Sequence, residues 1–263
     1  MHAVESRRTV ETTRPNPDSP GAGVVLVTGG ARRVGRAICL AAARRGFDVA
    51  LHYHCSQADA AATAAEIERI GRRCECIPGD LEDVANAPAI VDAAIRAFGR
   101  LDALVNNASL FRLPGGDTLD QVDVGAWSRM LRVNLIAPAA LCRAALGPFK
   151  SRGRGRIINL CDISADHPWP AHLSYCASKA ALVNLTKALA RALAPQIQVN
   201  AVAPGIAEFP DDYSAATRQR LVSRVPAGRA GTPEEIAEVV GFLLDAPDYL
   251  TGQIIAVDGG RSL

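Results

Sequence analysis

From residue 24 onward, short apolar runs alternate with longer, alanine-rich segments. The apolar runs are VVLV, VALHY, CECI, ALVNNA, RIINL, IQVNAV and IIAVDGG; the longer segments cover about 34–45, 58–70, 84–98, 126–149 and 172–193, with another after Thr232. Short apolar runs are typical of buried strands and the longer segments of helices. The alternation predicts an α/β fold, Rossmann-like and doubly wound, with a seven-stranded, mainly parallel sheet and helices on both faces.

The first 20 residues differ from the rest of the chain. They are polar, contain three prolines and show no periodicity, which is typical of a disordered segment. The whole chain has 263 residues and is 49% hydrophobic, enough for one large domain with a substantial core. We therefore expect an N-terminal tail over 1–20 and a single domain over 21–263.

Charge and hydropathy argue against a nucleic-acid-binding, membrane or secreted protein. The 29 lysines and arginines nearly balance the 27 acidic residues, so charge gives no reason to expect nucleic acid or an anionic membrane surface as a partner. We find no apolar run approaching the roughly 20 residues that a membrane-spanning helix needs, and no signal-peptide core. We expect a cytoplasmic protein.

The cysteines do not predict a metal site. There are seven of them, without CxxC spacing, and most fall inside apolar stretches: Cys39, Cys55, Cys74, Cys76, Cys142, Cys161 and Cys176. Cys74 and Cys76 are two residues apart on a strand-like stretch, so they are expected to share one face of the sheet. We expect reduced, buried thiols and no metal.

A glycine-containing turn follows the first predicted strand. The stretch VTGGARRVGRAI, residues 27–38, leads from a strand into a helix and contains Gly29, Gly30 and Gly35. In a parallel sheet, ligands bind beyond the carboxyl ends of the strands, and a helix N-terminus can hold a pyrophosphate there. The spacing is not GxGxxG, so this turn alone is a weak signal.

The end of the second predicted strand favours NADPH over NADH. Sheets that bind NAD commonly place an acid there for the ribose 2′-hydroxyl, whereas LHYHCS offers His54 and Ser56. Arg33 adds a guanidinium suited to a 2′-phosphate. The alternative for His54 is a strand-end histidine in contact with water.

These motifs, taken in order over 24–260, resemble the short-chain dehydrogenase/reductase family. TGGARRVG is similar to its cofactor turn, Asp80-Leu81 to its adenine contact, NNAS (106–109) to its fourth-strand motif, and Asn134 to its helix asparagine. Tyr175-x-x-x-Lys179 is similar to its catalytic pair and VAPG (202–205) to its loop beside the nicotinamide.

Two departures resemble one subgroup, the pteridine reductases and dihydromonapterin reductases. Arg33 replaces a glycine of the cofactor turn, and Asp162 replaces the serine thirteen residues before the tyrosine. LHYHCS is also similar to that subgroup, although Cys55 stands where an arginine is often found. The closing DGGRSL is similar too, and in related enzymes a neighbouring subunit's tail approaches the site, which would bring Arg261 there.

The resemblance implies a cofactor, a substrate class and an assembly. The cofactor is expected to be NADPH, the substrate a small-molecule pterin and the assembly a homotetramer with 222 symmetry. The expected catalytic residues are Asp162, Tyr175 and Lys179. The expected substrate-binding residues are Ser109, Phe111, Asp162 and Tyr175. The expected cofactor-binding residues are Gly29, Arg32, Arg33, Val34, His54, Ser56, Asp80, Leu81, Asn107, Ala108, Ser109, Tyr175, Lys179, Pro204, Gly205 and Ile206.

Asp162 has a chemical interpretation within this resemblance. A ketone reductase needs a neutral hydrogen-bond donor at the carbonyl oxygen, and a carboxylate there would repel the developing alkoxide. Reduction of a pterin C=N bond instead requires a proton on nitrogen. We expect Asp162 and Tyr175 to form a proton relay, Lys179 to hold the nicotinamide ribose and polarise the tyrosine, and Phe111 to stack on the pterin.

Several alternatives remain open. Asp162 could only cap the turn after its strand, leaving Ser164 in the serine role of a general carbonyl or 3-oxoacyl reductase. The chain could also be a non-catalytic NADPH-binding sensor. Phe111 could be loop packing, and His167, Trp169 and His172 are left out of the predicted site.

The segment after VAPG departs from the family pattern. Ile206, Ala207 and Glu208 stand where many members have a threonine or serine near the nicotinamide amide. We expect residues 206–225 to form a mobile cover over the substrate.

Overall fold

The computed structural model describes residues 23–111, 117–209 and 212–263. The predicted N-terminal tail, 1–20, lies outside these ranges, as do two residues of the predicted cover, 210 and 211.

Seven strands form one parallel sheet in the order β3-β2-β1-β4-β5-β6-β7. The strands are β1 Gly23–Val27, β2 Phe47–Tyr53, β3 Cys74–Pro78, β4 Ala103–Asn106, β5 Gly155–Leu160, β6 Ile197–Pro204 and β7 Ile254–Val257. The strand order reverses between β1 and β4, and ligands bind beyond such a reversal in doubly wound sheets. The predicted fold class is confirmed, and the sheet is entirely parallel.

In the described ranges, eight α-helices connect or flank these strands. They are α1 Arg33–Arg44, α2 Gln57–Arg69, α3 Asn86–Phe98, α4 Val124–Leu131, α5 Ala137–Ser151, α6 Leu173–Leu193, α7 Ala215–Val222 and α8 Pro233–Asp245. The single helix predicted over 126–149 is divided by a π-helical turn at Arg132–Ile136. Helix α7 lies within the segment predicted as a cover.

The core lies on both faces of the sheet. Side chains of α1 and α8, such as Ile38 and Leu243, pack on one face, while Ile90 of α3 and Phe149 of α5 pack on the other. Successive residues of a strand point to opposite faces, so a strand covered on both sides is apolar throughout. This burial explains the continuous apolar runs in the sequence.

One described helical stretch, Val124–Ser151, is long and apolar enough by length and composition to cross a membrane. The statement that no apolar run approaches that length was therefore wrong. Leu141, Ala145 and Phe149 of this stretch are fully buried against the sheet, so core packing accounts for its apolar character.

The cysteines are free thiols with differing exposure. Four of them, at 39, 142, 161 and 176, are buried, while Cys74 and Cys76 are half-buried. Cys55 is exposed, which contradicts the expectation of burial, because it lies beyond the end of β2. No cluster suited to a metal ion occurs in the described ranges.

A buried ion-pair cluster ties β2 to the segment before β3. Asp48 accepts hydrogen bonds from Nη2 of Arg72 at 2.7 Å and from Nε of Arg73 at 2.8 Å. Burial alone raises the pKa of the Asp48 carboxyl, but the hydrogen bonds from Arg73 and Arg72 outweigh it and hold the pKa below its ordinary value.

We predict that Asp48→Asn lowers the free energy of unfolding by about 2 kcal/mol, because the guanidinium groups of Arg72 and Arg73 lose their counter-ion. Urea unfolding measures this. Asp248→Asn is the control, since Asp248 pairs with Arg156 at 2.9 Å but is 82% exposed, and surface pairs contribute about 0–1 kcal/mol. The Asp48 contribution is present above the unfolded-state pKa and is lost as pH falls through the lowered folded-state pKa. Equal effects of the two substitutions would contradict the prediction.

Candidate active site

A cavity of about 940 Å³ lies beyond the carboxyl ends of the strands, next to the reversal in strand order. Its walls come from the glycine turn after β1, the ends of β2 and β4, the loop after β5, the first turn of α6, residues 205–209, residues between 213 and 224, and Arg261. Most of the residues predicted from the motifs line this cavity.

Two glycines of the turn are required by its geometry. Gly29 has φ +63°, a left-handed conformation that side chains disfavour. A Cβ at Gly35 would overlap the carbonyl oxygen of Gly29 and approach Nδ2 of Asn107 to 2.7 Å. The turn therefore leaves bare backbone at the start of α1, the arrangement that admits a pyrophosphate.

Hydrogen bonds from β4 brace this turn. The hydroxyl of Thr28 accepts from the backbone N–H of Asn107 at 2.9 Å and of Ala108 at 3.0 Å. Nδ2 of Asn107 donates to the carbonyl oxygen of Thr28 at 2.8 Å. The NNAS motif thus holds the glycine turn in place from the neighbouring strand.

His52 braces the turn from the other side, a role that sequence analysis did not find. Its Nδ1 accepts from the N–H of Gly29 at 3.3 Å, and its Nε2 lies 3.0 Å from the carbonyl oxygen of Gly79. Burial lowers the pKa of His52 to about 4. The ring is therefore neutral at pH 7, with its proton on Nε2. The HxH pattern at the end of β2 is the signal that could have indicated it.

Charged groups surround the mouth of the turn. Arg33 has φ +54° and is the one non-glycine residue with a positive φ in the described ranges. Its Nε lies 3.0 Å from Oε2 of Glu208, and its Nη2 donates to the carbonyl oxygen of Phe209 at 3.2 Å. Arg33 therefore reaches across the cavity to the segment that follows β6.

Asp162 and Tyr175 line the cavity, and Lys179 is buried behind Tyr175. The Tyr175 hydroxyl donates to Oδ2 of Asp162 at 2.9 Å, while Oδ1 accepts from the backbone N–H of Ser164 at 2.7 Å. Nζ of Lys179 donates to the carbonyl oxygen of Leu160 at 2.8 Å and lies 5.7 Å from the centre of the Tyr175 ring. One carboxylate thus both caps the turn after β5 and binds the tyrosine.

Burial is the largest influence on the pKa of all three groups. It raises the pKa of the Asp162 carboxyl, opposed in part by hydrogen bonds from Ser164 and Tyr175. It raises the pKa of Tyr175 well above 10, and the Asp162 charge raises it further. It lowers the pKa of Lys179. Tyr175 is therefore protonated at neutral pH, and Asp162 binds a proton more readily than an exposed aspartate.

Asn134 connects the π-helical turn to the loop after β4. Its Oδ1 accepts from the N–H of Leu110 at 2.8 Å, and its Nδ2 donates to the carbonyl oxygen of Leu110 at 2.8 Å and to the hydroxyl of Ser178 at 3.0 Å. This buried amide fixes the loop that carries Ser109 and Phe111 against α6.

Asp117 holds the first turn of α6 and was also missed by sequence analysis. Its Oδ2 accepts from the backbone N–H of Ser174 at 2.9 Å and from the Ser174 hydroxyl at 2.8 Å. A carboxylate at a helix N-terminus satisfies N–H groups that lack partners within the helix. Asp117 therefore helps to position Tyr175, the next residue.

An aromatic cluster forms the wall beside Tyr175. The Phe111 ring stacks on His172 with centroids 4.9 Å apart and meets Tyr175 edge-on at 5.0 Å. The Trp169 ring stacks on Tyr175 at 6.3 Å. Trp169 and His172 had been left out of the predicted site; the density of aromatic and histidine residues between Asp162 and Tyr175 was the available signal.

Comparison with known proteins identifies the family. A family model described as enoyl-(acyl carrier protein) reductase matches residues 29–262. Curated relatives include a 2-(S)-hydroxypropyl-CoM dehydrogenase of Xanthobacter autotrophicus, 35% identical over 91% of this chain and 96% of the relative. They also include a 3-oxoacyl-[acyl-carrier-protein] reductase of Staphylococcus aureus, 34% identical over 89% of this chain and 96% of the relative. The chain belongs to the short-chain dehydrogenase/reductase family.

Among solved structures of this family, one similar protein is the FolM alternative dihydrofolate reductase 1 of Brucella canis, complexed with NADP. It has a TM-score of 0.85 and 36% identity, over 92% of this chain and 94% of that chain. A blue fluorescent protein from a metagenomic library, in complex with NADPH, has a TM-score of 0.83 and 34% identity, over 92% of this chain and 99% of that chain.

Most predicted residues of this family member line the cavity, and four do not. Those that line it are Gly29, Arg32, Arg33, Val34, His54, Ser56, Asn107, Ala108, Ser109, Phe111, Asp162, Tyr175, Gly205 and Ile206. Leu81 packs in the core, Asp80 caps the following turn, and Pro204 ends β6. Lys179 is buried behind Tyr175.

Arg261 lies in the cavity of its own chain. Asp258 accepts hydrogen bonds from the backbone N–H groups of Gly260 and Ser262 in the turn after β7 that carries Arg261. The approach of a neighbouring subunit's tail to the site stays a prediction. Ser164 is fully buried and does not line the cavity.

We predict that Gly35→Ala lowers the free energy of unfolding by about 1–3 kcal/mol, because the new Cβ would overlap the Gly29 carbonyl and force the turn to shift. Gly147→Ala is the matched control. Gly147 lies in α5 with open space around it, and the same substitution there should stabilise the protein by about 0.5–1 kcal/mol. Chemical denaturation of both variants checks the prediction, and stabilisation by Gly35→Ala would disprove it.

Proposed function

We propose that this protein is an NADPH-dependent reductase of pterins. The observation that carries the proposal is the hydrogen bond between the Tyr175 hydroxyl and Asp162 in a buried site beside an aromatic wall. The coarser assignment, an oxidoreductase of the short-chain dehydrogenase/reductase family, rests on the family match.

The cofactor is NADP(H), and the residues around the glycine turn fit it. The bare backbone at Gly29 and Gly35 suits a pyrophosphate, since a Cβ at Gly35 has no room. The end of β2 carries His54 and Ser56 in place of the acid that NAD-binding sheets commonly have there, although the Asp80 carboxylate lies 3.9 Å from Nε2 of His54. The similar structures from Brucella canis and the metagenomic library are complexes with NADP and NADPH. When bound, this cofactor supplies hydride.

Asp162 and Tyr175 suit the protonation that reduction of a C=N bond requires. The raised pKa of Tyr175 keeps its hydroxyl protonated, and the raised pKa of Asp162 lets the carboxyl take up and pass on a proton. An ordinary ketone reductase would gain nothing from a carboxylate beside its developing alkoxide. The pair therefore favours a substrate whose nitrogen accepts a proton.

The aromatic wall suits a flat heterocycle. Phe111, Trp169 and Tyr175 present ring faces and edges around one corner of the cavity. Stacking orients a planar ring without requiring a charge on it. We propose that Phe111 and Ser109 bind the pterin beside Tyr175, and that Lys179 supports Tyr175 from behind and holds the nicotinamide ribose.

A carbonyl substrate is the competing proposal, supported by the 3-oxoacyl reductase among the curated relatives. That reaction would need a neutral donor in place of Asp162, and Ser164 is buried away from the cavity. This placement favours the pterin. A single catalytic domain over 21–263, a homotetrameric assembly and a cytoplasmic location stay predictions.

We expect the purified protein to oxidise NADPH with dihydrobiopterin, dihydromonapterin or dihydrofolate and not with a simple ketone. The absorbance of NADPH at constant pH measures this, with NADH as the cofactor control. Turnover of the ketone alone would refute pterin reduction. Tight NADPH binding without turnover of any substrate would instead indicate the sensor alternative.

We predict that Asp162→Asn loses most turnover while NADPH binding, followed by fluorescence, stays nearly intact. The amide still accepts a hydrogen bond from Tyr175 but cannot carry the relayed proton. Asp166→Asn is the control, because Asp166 is exposed and lies in the same turn. Turnover of the two variants at a similar level would rule out the relay.

The pH profile adds a second readout. A carboxyl that passes on a proton must be protonated, so wild-type turnover should fall as pH rises through the raised pKa of Asp162. In Asp162→Asn this titration should be absent from the residual activity. An unchanged profile would contradict the assignment of the titrating group to Asp162.

A further inference from the structure

Three arginines line one side of the cavity and have no role in the reaction just described. Arg220 belongs to α7, Arg224 follows that helix, and Arg261 belongs to the C-terminal turn. Arg220 and Arg224 are four residues apart, and the tertiary structure brings the distant Arg261 to the same cavity.

Arg261 lies on the side of the cavity where the substrate is proposed to bind. The guanidinium of Arg261 lies 6.0 Å from the centre of the Trp169 ring. Trp169 in turn stacks on Tyr175 and meets Phe111 edge-on at 6.4 Å. Arg261 is therefore separated from the proposed proton donor by a single aromatic ring.

The positive charge here is not balanced as it is elsewhere around the cavity. Arg33 pairs with Glu208 at 3.0 Å, and Arg32 pairs with Asp59 at 3.6 Å. Within the described part of the chain, no carboxylate lies within ion-pair distance of Arg220, Arg224 or Arg261.

Arg261 shows the imbalance most directly. Its Nη1 is buried and has no hydrogen-bond partner among the described residues. The nearby Asp258 uses its carboxylate for the backbone N–H groups of Gly260 and Ser262, at 2.9 and 2.8 Å. Burial lowers the pKa of Arg261, and repulsion from Arg224 lowers it further. A buried N–H without an acceptor and two neighbouring like charges are both unfavourable, and an anionic ligand relieves both.

We propose that Arg220, Arg224 and Arg261 form an anion-binding subsite, and that the substrate is a pterin whose side chain carries a carboxylate or a phosphate. The proposal rests on the proposed pterin reductase function. The flat ring lies against Phe111 and Trp169 beside Tyr175, and the charged end of the side chain lies among the arginines. Guanidinium groups bind both oxyanions through paired N–H donors, whereas a neutral polyol side chain gains no charge interaction.

The test compares two matched substrate pairs. Dihydrofolate against dihydrobiopterin examines a carboxylate side chain, and dihydroneopterin monophosphate against dihydroneopterin examines a phosphate. For each pair the measured quantity is the ratio of kcat/KM for the anionic over the neutral substrate. The wild type should favour the anionic member of at least one pair, and added salt should reduce that ratio.

Arg224→Gln should lower the favoured ratio about tenfold or more, because one charge-assisted contact is lost. Arg220→Gln is a second variant with the same expected effect. Arg220 lies on α7, which has no buried residue, so this variant should fold even if Arg224→Gln does not. Arg191→Gln is the charge-matched control, since Arg191 is exposed near the end of α6 and should leave the ratio unchanged.

Two failures are distinguishable. A wild-type ratio near one for both pairs, or a ratio that Arg224→Gln and Arg220→Gln leave within twofold, overturns the subsite while pterin reduction stands. No turnover of any pterin overturns the proposed function instead. In that case, titration of folate and biopterin into the NADP⁺-bound protein still measures the preference for the anion, and equal binding overturns the subsite as well.

Discussion

The geometry of the site depends on how β1 and β4 are joined at their carboxyl ends. The hydroxyl of Thr28 accepts two backbone N–H groups from the loop after β4, and Asn107 returns a hydrogen bond to the carbonyl oxygen of Thr28. These groups are buried or nearly so, and a buried polar group without a partner is costly, so the junction has one favoured arrangement. The glycine turn and the loop bearing Phe111 are positioned from it, and α6 is placed against the same loop through Asn134.

Exclusion of water is the main influence on the pKa values of the ionisable groups in the site. On an exposed surface, the carboxyl of Asp162, the hydroxyl of Tyr175 and the ammonium of Lys179 would interact weakly. Burial shifts the pKa of each group in the direction that favours its neutral form. It also strengthens the Asp162–Tyr175 hydrogen bond. Burial also makes the unpartnered Nη1 of Arg261 unfavourable unless an anion joins it. Exclusion of water therefore bears on both the proton transfer and the choice of substrate.

The motifs predicted much of the site because their spacing follows the sheet. A parallel sheet brings every carboxyl end to one edge, so residues just after strands, such as Gly29, Asn107 and Asp162, were expected to meet there. For Asp162, the two interpretations, a turn cap and a partner of Tyr175, are compatible with each other. One of its oxygens caps the turn, as a structural role would require, and the other binds Tyr175.

The residues that were missed share a physical cause. His52 and Asp117 act on groups 23 and 57 positions away in sequence, and contacts at that separation leave no local pattern. Helix α7 has no buried residue, so it lacks the apolar stripe by which the other helices were found.

By itself, the sequence determined the class of fold, the order of its elements and the family, because strand and helix periodicity and motif spacing are local properties of the chain. Only the tertiary structure decided which groups share the cavity. It places Arg33 next to Glu208 and buries Lys179 behind Tyr175. It also brings Arg261 to the cavity that Arg220 and Arg224 line, where no carboxylate among the described residues pairs with any of the three. Those outcomes depend on packing between distant segments, where burial and electrostatic balance, rather than local pattern, select the arrangement.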